Sequence, residues 1–189
     1  MRKTTLFLLS MFWVVALSAQ TTIRDVLKAM PDSVVPYLTE NNRLDMIDFM
    51  DTHMDAVVTN ALGGKSQLLA LTDQYASIRL SESSEVAMRL LDVSAPVDSA
   101  QQVLCLVRTY GSDIRESTVA FYSLSWRLLP TADYFVQPDE MFVATLGNEA
   151  PTLTLSQKPY FDAPLKEEQE KIEEVLITLK WNGCFVKEN

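Results

Sequence analysis

The chain has 189 residues, 48% of them hydrophobic and 22% charged, so it carries enough apolar material for a core and is of a length for one domain. Its 16 Lys+Arg against 25 Asp+Glu leave a net charge of −9, which argues against nonspecific nucleic-acid binding, because neutralising phosphates needs a basic surface. Five glycines are too few for a glycine-rich phosphate cradle, one histidine excludes a multi-histidine metal site, and two cysteines exclude a zinc finger or a disulfide-dense scaffold. No cofactor is implied.

Arg2 and Lys3 form a short positive segment, and Leu6 to Leu17 is an apolar run. Ser18-Ala19-Gln20 then offers small residues to a signal peptidase. Cleavage after Ala19 leaves Gln20 first, and cleavage after Ser18 places Ala16 at the small position three residues before the cut. An uncleaved anchor is the competing reading, but the apolar run is short for a span and small residues follow at once. No cysteine lies near the junction for lipid attachment. The expectation is a signal peptide over 1–19 and an exported, non-lipidated protein of the periplasm or extracellular space, with no stable membrane span.

Residues 20–64 read as helical. Thr22 and Asp25 form a capping signal ahead of Ile23, Val26, Leu27 and Met30, and Pro31 stops that helix. Asn42 and Asp45 repeat the capping arrangement. From Leu44 onward Met46, Ile47, Met50, Met54, Val57, Val58, Ala61 and Leu62 recur at helical steps, which predicts about five turns ended by Gly63-Gly64.

Residues 65–189 read as mainly β. Runs at 68–71, 75–80, 85–93, 102–110 and 118–126 are short and partly alternating, as in an antiparallel meander. In the fourth run Val103, Cys105 and Val107 alternate with Leu104, Leu106 and Arg108, so both faces are apolar and the strand is central. Prolines 130, 138, 151 and 159 punctuate the stretch 127–162. A strand is expected at Thr152–Leu155, whereas 138–147 fits a short helix or a strand. Asp162 and Pro164 open a final helix to about Glu174. After it, Val175, Ile177, Leu179 and Trp181 alternate, and Asn182-Gly183 predicts a two-residue turn of a terminal hairpin.

The stretch Met30-Pro31-Asp32-Ser33-Val34-Val35-Pro36-Tyr37-Leu38-Thr39-Glu40-Asn41-Asn42-Arg43-Leu44-Asp45-Met46-Ile47-Asp48-Phe49 resembles the N-terminal signature of an exported-protein family of Bacteroidales, domain of unknown function 3256. Phe121-Tyr122-Ser123-Leu124-Ser125-Trp126 and Lys180-Trp181-Asn182-Gly183 are similar to its later segments. The resemblance implies an envelope protein and brings no activity and no catalytic residues.

Asp45, Asp48, Asp51 and Asp55 share the second predicted helix, yet they lack the glycine-containing loop of a calcium site, and an acidic solvated face accounts for them. His53 lies between that face and the apolar one, with no G-x-S-x-G elbow in the chain to partner it. Cys105 and Cys184 both fall in predicted strands, either as buried thiols or as one bridge tying the terminal hairpin to the sheet. Met30, Met46, Met50 and Met54 sit at core spacing, and Tyr110, Phe121, Tyr122 and Trp126 read as cross-strand packing before they read as a binding surface.

The class is α+β: N-terminal helices packed on an antiparallel meander sheet, one late helix and a C-terminal β-hairpin. With no catalytic, metal or cofactor residues to assign, the expected function is a non-catalytic envelope module binding an unknown protein or peptide. An acidic inhibitor of an extracellular enzyme, a carrier of an apolar ligand and, last, a hydrolase are the alternatives.

Overall fold

The computed structural model describes residues 21–157 and 175–187. The expected signal peptide, its cleavage point at Ala19 and Gln20, and the expected late helix lie outside the described residues. Within them the chain is mostly antiparallel sheet, with two helices and a second, smaller sheet.

Helix α1 (Ile23–Lys28) begins as its sequence predicts. Thr22 Oγ1 accepts the Asp25 N–H, and the Asp25 carboxylate accepts the Thr22 N–H in return at 3.0 Å. That reciprocal pair satisfies two of the amides a helix start leaves open. Helix α2 (Glu40–Asp51) is capped by Thr39, with Asn42 as its reciprocal partner, so the cap lies three residues before the one read from Asn42 and Asp45.

The second helix ends at Asp51, about eleven residues before Gly63-Gly64. His53 is the reason, taking the left-handed conformation at φ 58°. Its N–H donates to the Met50 carbonyl and the Met54 N–H reaches back to the Phe49 carbonyl, the two bonds of a Schellman stop. Beyond it Val57 and Val58 are β-branched and stiff in a helix, and they form strand β1 (Val57–Thr59). Gly63, at φ 81°, turns β1 into β2 instead, with Asn60 Oδ1 accepting the Leu62 and Gly64 N–H groups.

The first sheet is a seven-stranded meander in chain order: β1, β2 (Lys65–Leu71), β3 (Tyr75–Ser81), β4 (Ser84–Val97), β5 (Ala100–Tyr110), β6 (Glu116–Tyr122) and β7 (Leu128–Leu129). Strand β6 stops at Tyr122 rather than running to Trp126, because a turn returns the Ser123 N–H to the Arg127 carbonyl and leaves Trp126 at φ 65°. The second sheet has the order β11-β10-β9-β8, from β8 (Val143–Leu146), β9 (Thr152–Gln157), β10 (Val175–Trp181) and β11 (Phe185–Lys187). So 138–147 supplies a strand, and the run after Val175 is extended.

Two hairpin turns trade places with expectation. Asn182-Gly183 does not make a two-residue turn: Trp181 pairs with Phe185 across three residues, and only Gly183 takes a positive φ, at 80°. The two-residue turn with both residues left-handed is Asp98-Ser99, at φ 49° and 68°, between the paired Val97 and Ala100.

The large sheet is buried on both faces. Leu104 and Leu106 join Ile23, Leu27, Met46 and Ile47 of the helices in one core, while Val103, Cys105 and Val107 join Leu153, Leu155 and Phe185 of the small sheet in the other. Strand β5 therefore works in both layers, as its two apolar faces predict.

Candidate functional site

The small sheet meets the large one at the edge strand β8. Ser117, on β6, ties it down: its N–H donates to the Phe142 carbonyl and its Oγ accepts the Ala144 N–H, both at 2.9 Å, while Thr109 Oγ1 lies 2.8 Å from the same oxygen. At the far end of β8 Arg89 donates through Nη1 to the Gly147 and Asn148 carbonyls, at 2.8 and 2.7 Å. Arg89 is buried with its Nε unpartnered, and desolvation lowers the pKa of its guanidinium.

Between these two ties, one edge of β8 pairs with no other strand among the described residues. Gly147 gives its N–H to Thr152 on β9, and Ala144 gives its own to Ser117 on the opposite side. Strand alternation then turns the Ala144 carbonyl and the Leu146 N–H away from β9. They face a groove of about 220 Å³ whose floor is the large sheet and whose wall is β8. The floor carries Leu69, 42% exposed, with Ser77 and Ala87, and an ion pair of Glu85 with Arg115 at 2.8 Å. Both charged side chains are close to half exposed, so solvent screens the pair and its value is orientation more than stability.

This arrangement can hold an extended chain. It offers main-chain donors and acceptors on a strand edge, an apolar strip, and one charge of each sign. Thr109 Oγ1 is engaged with Ser117, and His53 lies at the stop of α2 rather than among the residues lining the groove. The volume is below the roughly 300–1,000 Å³ of pockets that enclose a small-molecule ligand.

The residues singled out from the sequence fall elsewhere. Asp45, Asp48 and Asp51 are exposed on α2, Asp51 pairs with Arg24 at 2.7 Å, and Asp55 lies past the helix, which shortens the acidic stripe. Among the described residues no three His, Cys, Asp or Glu side chains come together as metal ligands. Met30 and Met46 are core, whereas Met54 is 54% exposed. Phe121 and Trp126 are buried and Tyr110 is not. Trp126 holds its strained backbone by burying its ring and donating Nε1–H to the Val26 carbonyl at 3.0 Å. Both cysteines are free thiols: Cys105 is fully buried on β5, which raises its pKa strongly, and Cys184 is half-buried in the terminal turn.

The groove was not read from the sequence. Glu85 and Arg115 are 30 residues apart, and β8 lies in the stretch that fits helix or strand equally. An alternating Val143, Thr145 beside Ala144, Leu146 was the one available signal.

The described residues thus form an α+β fold that is mostly antiparallel sheet, with two helices and a second, smaller sheet. The family model described as "Protein of unknown function (DUF3256)" matches residues 14–145, and the chain belongs to that family. The match covers everything from α1 to the middle of β8. Among solved structures, a domain of an uncharacterised protein from Porphyromonas gingivalis W83 is similar over 88% of this chain and 98% of that one, with a TM-score of 0.71 and 22% identity. That likeness is one of fold. Among curated proteins no sequence matches.

Proposed function

We propose that the protein is an exported, non-catalytic module of the cell envelope that binds an extended segment of a partner protein or peptide along β8. The observation that carries this reading is the open edge of β8 above an apolar strip, since a bare strand edge is a template for another strand. Main-chain bonds to Ala144 and Leu146 would supply affinity, and side chains settling on Leu69 and around Arg115 would supply selectivity. Export rests on the 1–19 leader. Among the described residues, no helix is long and apolar enough to cross a membrane.

The test is a photo-crosslinking residue in place of Thr145, exposed on the wall of the groove, compared with the same residue in place of Asp48 on α2. A discrete adduct in the envelope fraction is expected from position 145 and not from 48, and the captured segment, made as a peptide, should compete it away. Equal adducts at both positions, or none at either, would sink the groove. N-terminal sequencing of the same fraction tests export: Ala19 or Gln20 supports it, and an intact Met1 overturns it.

A further inference from the structure

We infer that Asn182 and Gly183 form a self-modifying site, at which the chain converts asparagine to aspartate or isoaspartate with water as co-reactant. Three conditions meet in the terminal turn. The Asn182 side chain is exposed and engages in no hydrogen bond among the described residues. The Gly183 N–H likewise donates to nothing there, although the Asn182 N–H is bound to the Cys184 carbonyl at 2.9 Å. Gly183 has no Cβ, and among the described residues no atom outside its two chain neighbours lies within 4 Å of where one would be, so no side chain crowds its nitrogen.

The chemistry needs nothing else. The Gly183 nitrogen attacks Asn182 Cγ, a bond forms between them, and the Cγ–Nδ2 bond breaks. Ammonia leaves with the proton that the backbone nitrogen gave up. Water then opens the five-membered imide at one carbonyl or the other, leaving aspartate or an isoaspartyl link. No electrons are transferred.

The other described asparagines lack these conditions. Asn60 is buried and bonded to Ser66 and to the Leu80 carbonyl. Asn42 caps α2, with its Oδ1 held by the Thr39 N–H. Asn41 lies within α2, where the backbone is fixed, and Asn148 is followed by Glu149, which, unlike glycine, carries a Cβ beside the attacking nitrogen. The turn must also flex for Cγ to reach the nitrogen. The tip from Asn182 to Cys184 lies beyond the paired Trp181 and Phe185, and its main-chain tie among the described residues is the Asn182 N–H to the Cys184 carbonyl, so the tip can flex without breaking the strand pairing.

The product alters a packed corner. Trp181, next to the site, stacks on Phe121 and Tyr134 at 6.1 Å, meets Phe185 at 5.1 Å, and donates Nε1–H to the Asp92 carbonyl. An isoaspartyl link puts an extra carbon into the shortest connection that holds Trp181 against Phe185. The site therefore couples the age of the molecule to the grip of the small sheet on the large one.

The experiment is peptide mapping of the folded protein after incubation at mildly alkaline pH, with isoaspartate detection. The expected result is conversion at Asn182 ahead of Asn41, Asn60, Asn148 and Asn42, at a rate comparable to a free peptide spanning 180–186, and no conversion in Asn182→Gln, whose longer side chain disfavours the ring. The deamidated fraction, separated from the parent by its extra negative charge, should show altered Trp fluorescence and a lower melting temperature than the unmodified fraction. Persistence of Asn182 in the folded chain while the free peptide converts overturns the inference, as does conversion led by another asparagine.

Discussion

His53 shows how a single backbone angle redirects a chain. An L-residue in the left-handed region carries a clash of Cβ with the following carbonyl of about 1–2 kcal/mol, and His53 bears it at φ 58° to end α2. His53→Gly relieves that strain, while the extra freedom of glycine in the unfolded chain offsets about 0.4–1 kcal/mol of the gain. The expected outcome in urea titration is a net stabilisation of up to about 1.6 kcal/mol with an unchanged slope; a clear loss of stability would show that the imidazole itself is needed. Asp98 is held at a similar angle by Arg127, whose Nη2 donates to its carboxylate at 2.6 Å. Hydrogen bonding to Arg127, then to Ser123, lowers the Asp98 pKa from 3.8 to about 2. A depressed carboxyl pKa stabilises the fold above the unfolded value and loses its effect as pH falls through the folded one, so the window is from about pH 4 down to about pH 2. NMR titration should place Asp98 near 2, and Arg127→Gln should raise it towards the ordinary carboxylate range. Cys105 and Cys184 divide just as sharply. Because burial disfavours its thiolate, Cys105 should resist alkylation until the protein unfolds, and Cys184 alone should react in the native state.

At the scale of elements, a cap is the cheapest place to test an assignment. Thr39 Oγ1 satisfies the Asn42 N–H at the start of α2, and Thr39→Ala should cost about 1 kcal/mol. Asn42→Ala removes the reciprocal bond to the Thr39 N–H and the reach of Nδ2 to the Thr59 carbonyl, so it should cost at least as much; equal stability of both variants with the parent would refute the box. The first cap and the alternation of the strands are also where the sequence was most legible, whereas the second cap lies at Thr39 and not at the Asn42 that the spacing suggested. Thr22 with Asp25, the double-sided β5 and the extended run after Val175 are all written in local spacing. The stop at His53 was not, because histidine is an unusual choice for a position glycine usually fills. The tight turn at Asp98-Ser99 was hidden for the same reason, its left-handed angles being underwritten by Arg127 from 29 residues away. Asn182-Gly183 misled in the opposite sense, since the ends of β10 and β11 set a three-residue connection that the dipeptide alone does not encode. The groove depends on how β8 lies across the large sheet, a property of two layers and of no single segment.

At the scale of the whole molecule, β5 is the strand through which the two cores answer to each other. Met46, fully buried, belongs to the helix-side core, and Phe121, also fully buried, anchors the other through rings at 4.9 Å (Tyr134) and 6.1 Å (Trp181). Losing a buried Met to Ala costs about 2–5 kcal/mol and a buried Phe about 3–5, a large part of the about 5–15 kcal/mol that holds a domain folded. If the layers were independent, Met46→Ala would weaken only the helical signal and Phe121→Ala only the fluorescence of Trp181. But Leu104 and Leu106 on one face of β5 alternate with Val103, Cys105 and Val107 on the other, so neither core can open without disturbing the side chains of its neighbour. Each variant should therefore shift far-UV circular dichroism and Trp fluorescence together, along one transition with a common midpoint. Separate midpoints in Phe121→Ala would show that the small sheet detaches first, leaving the helices and the meander to fold on their own.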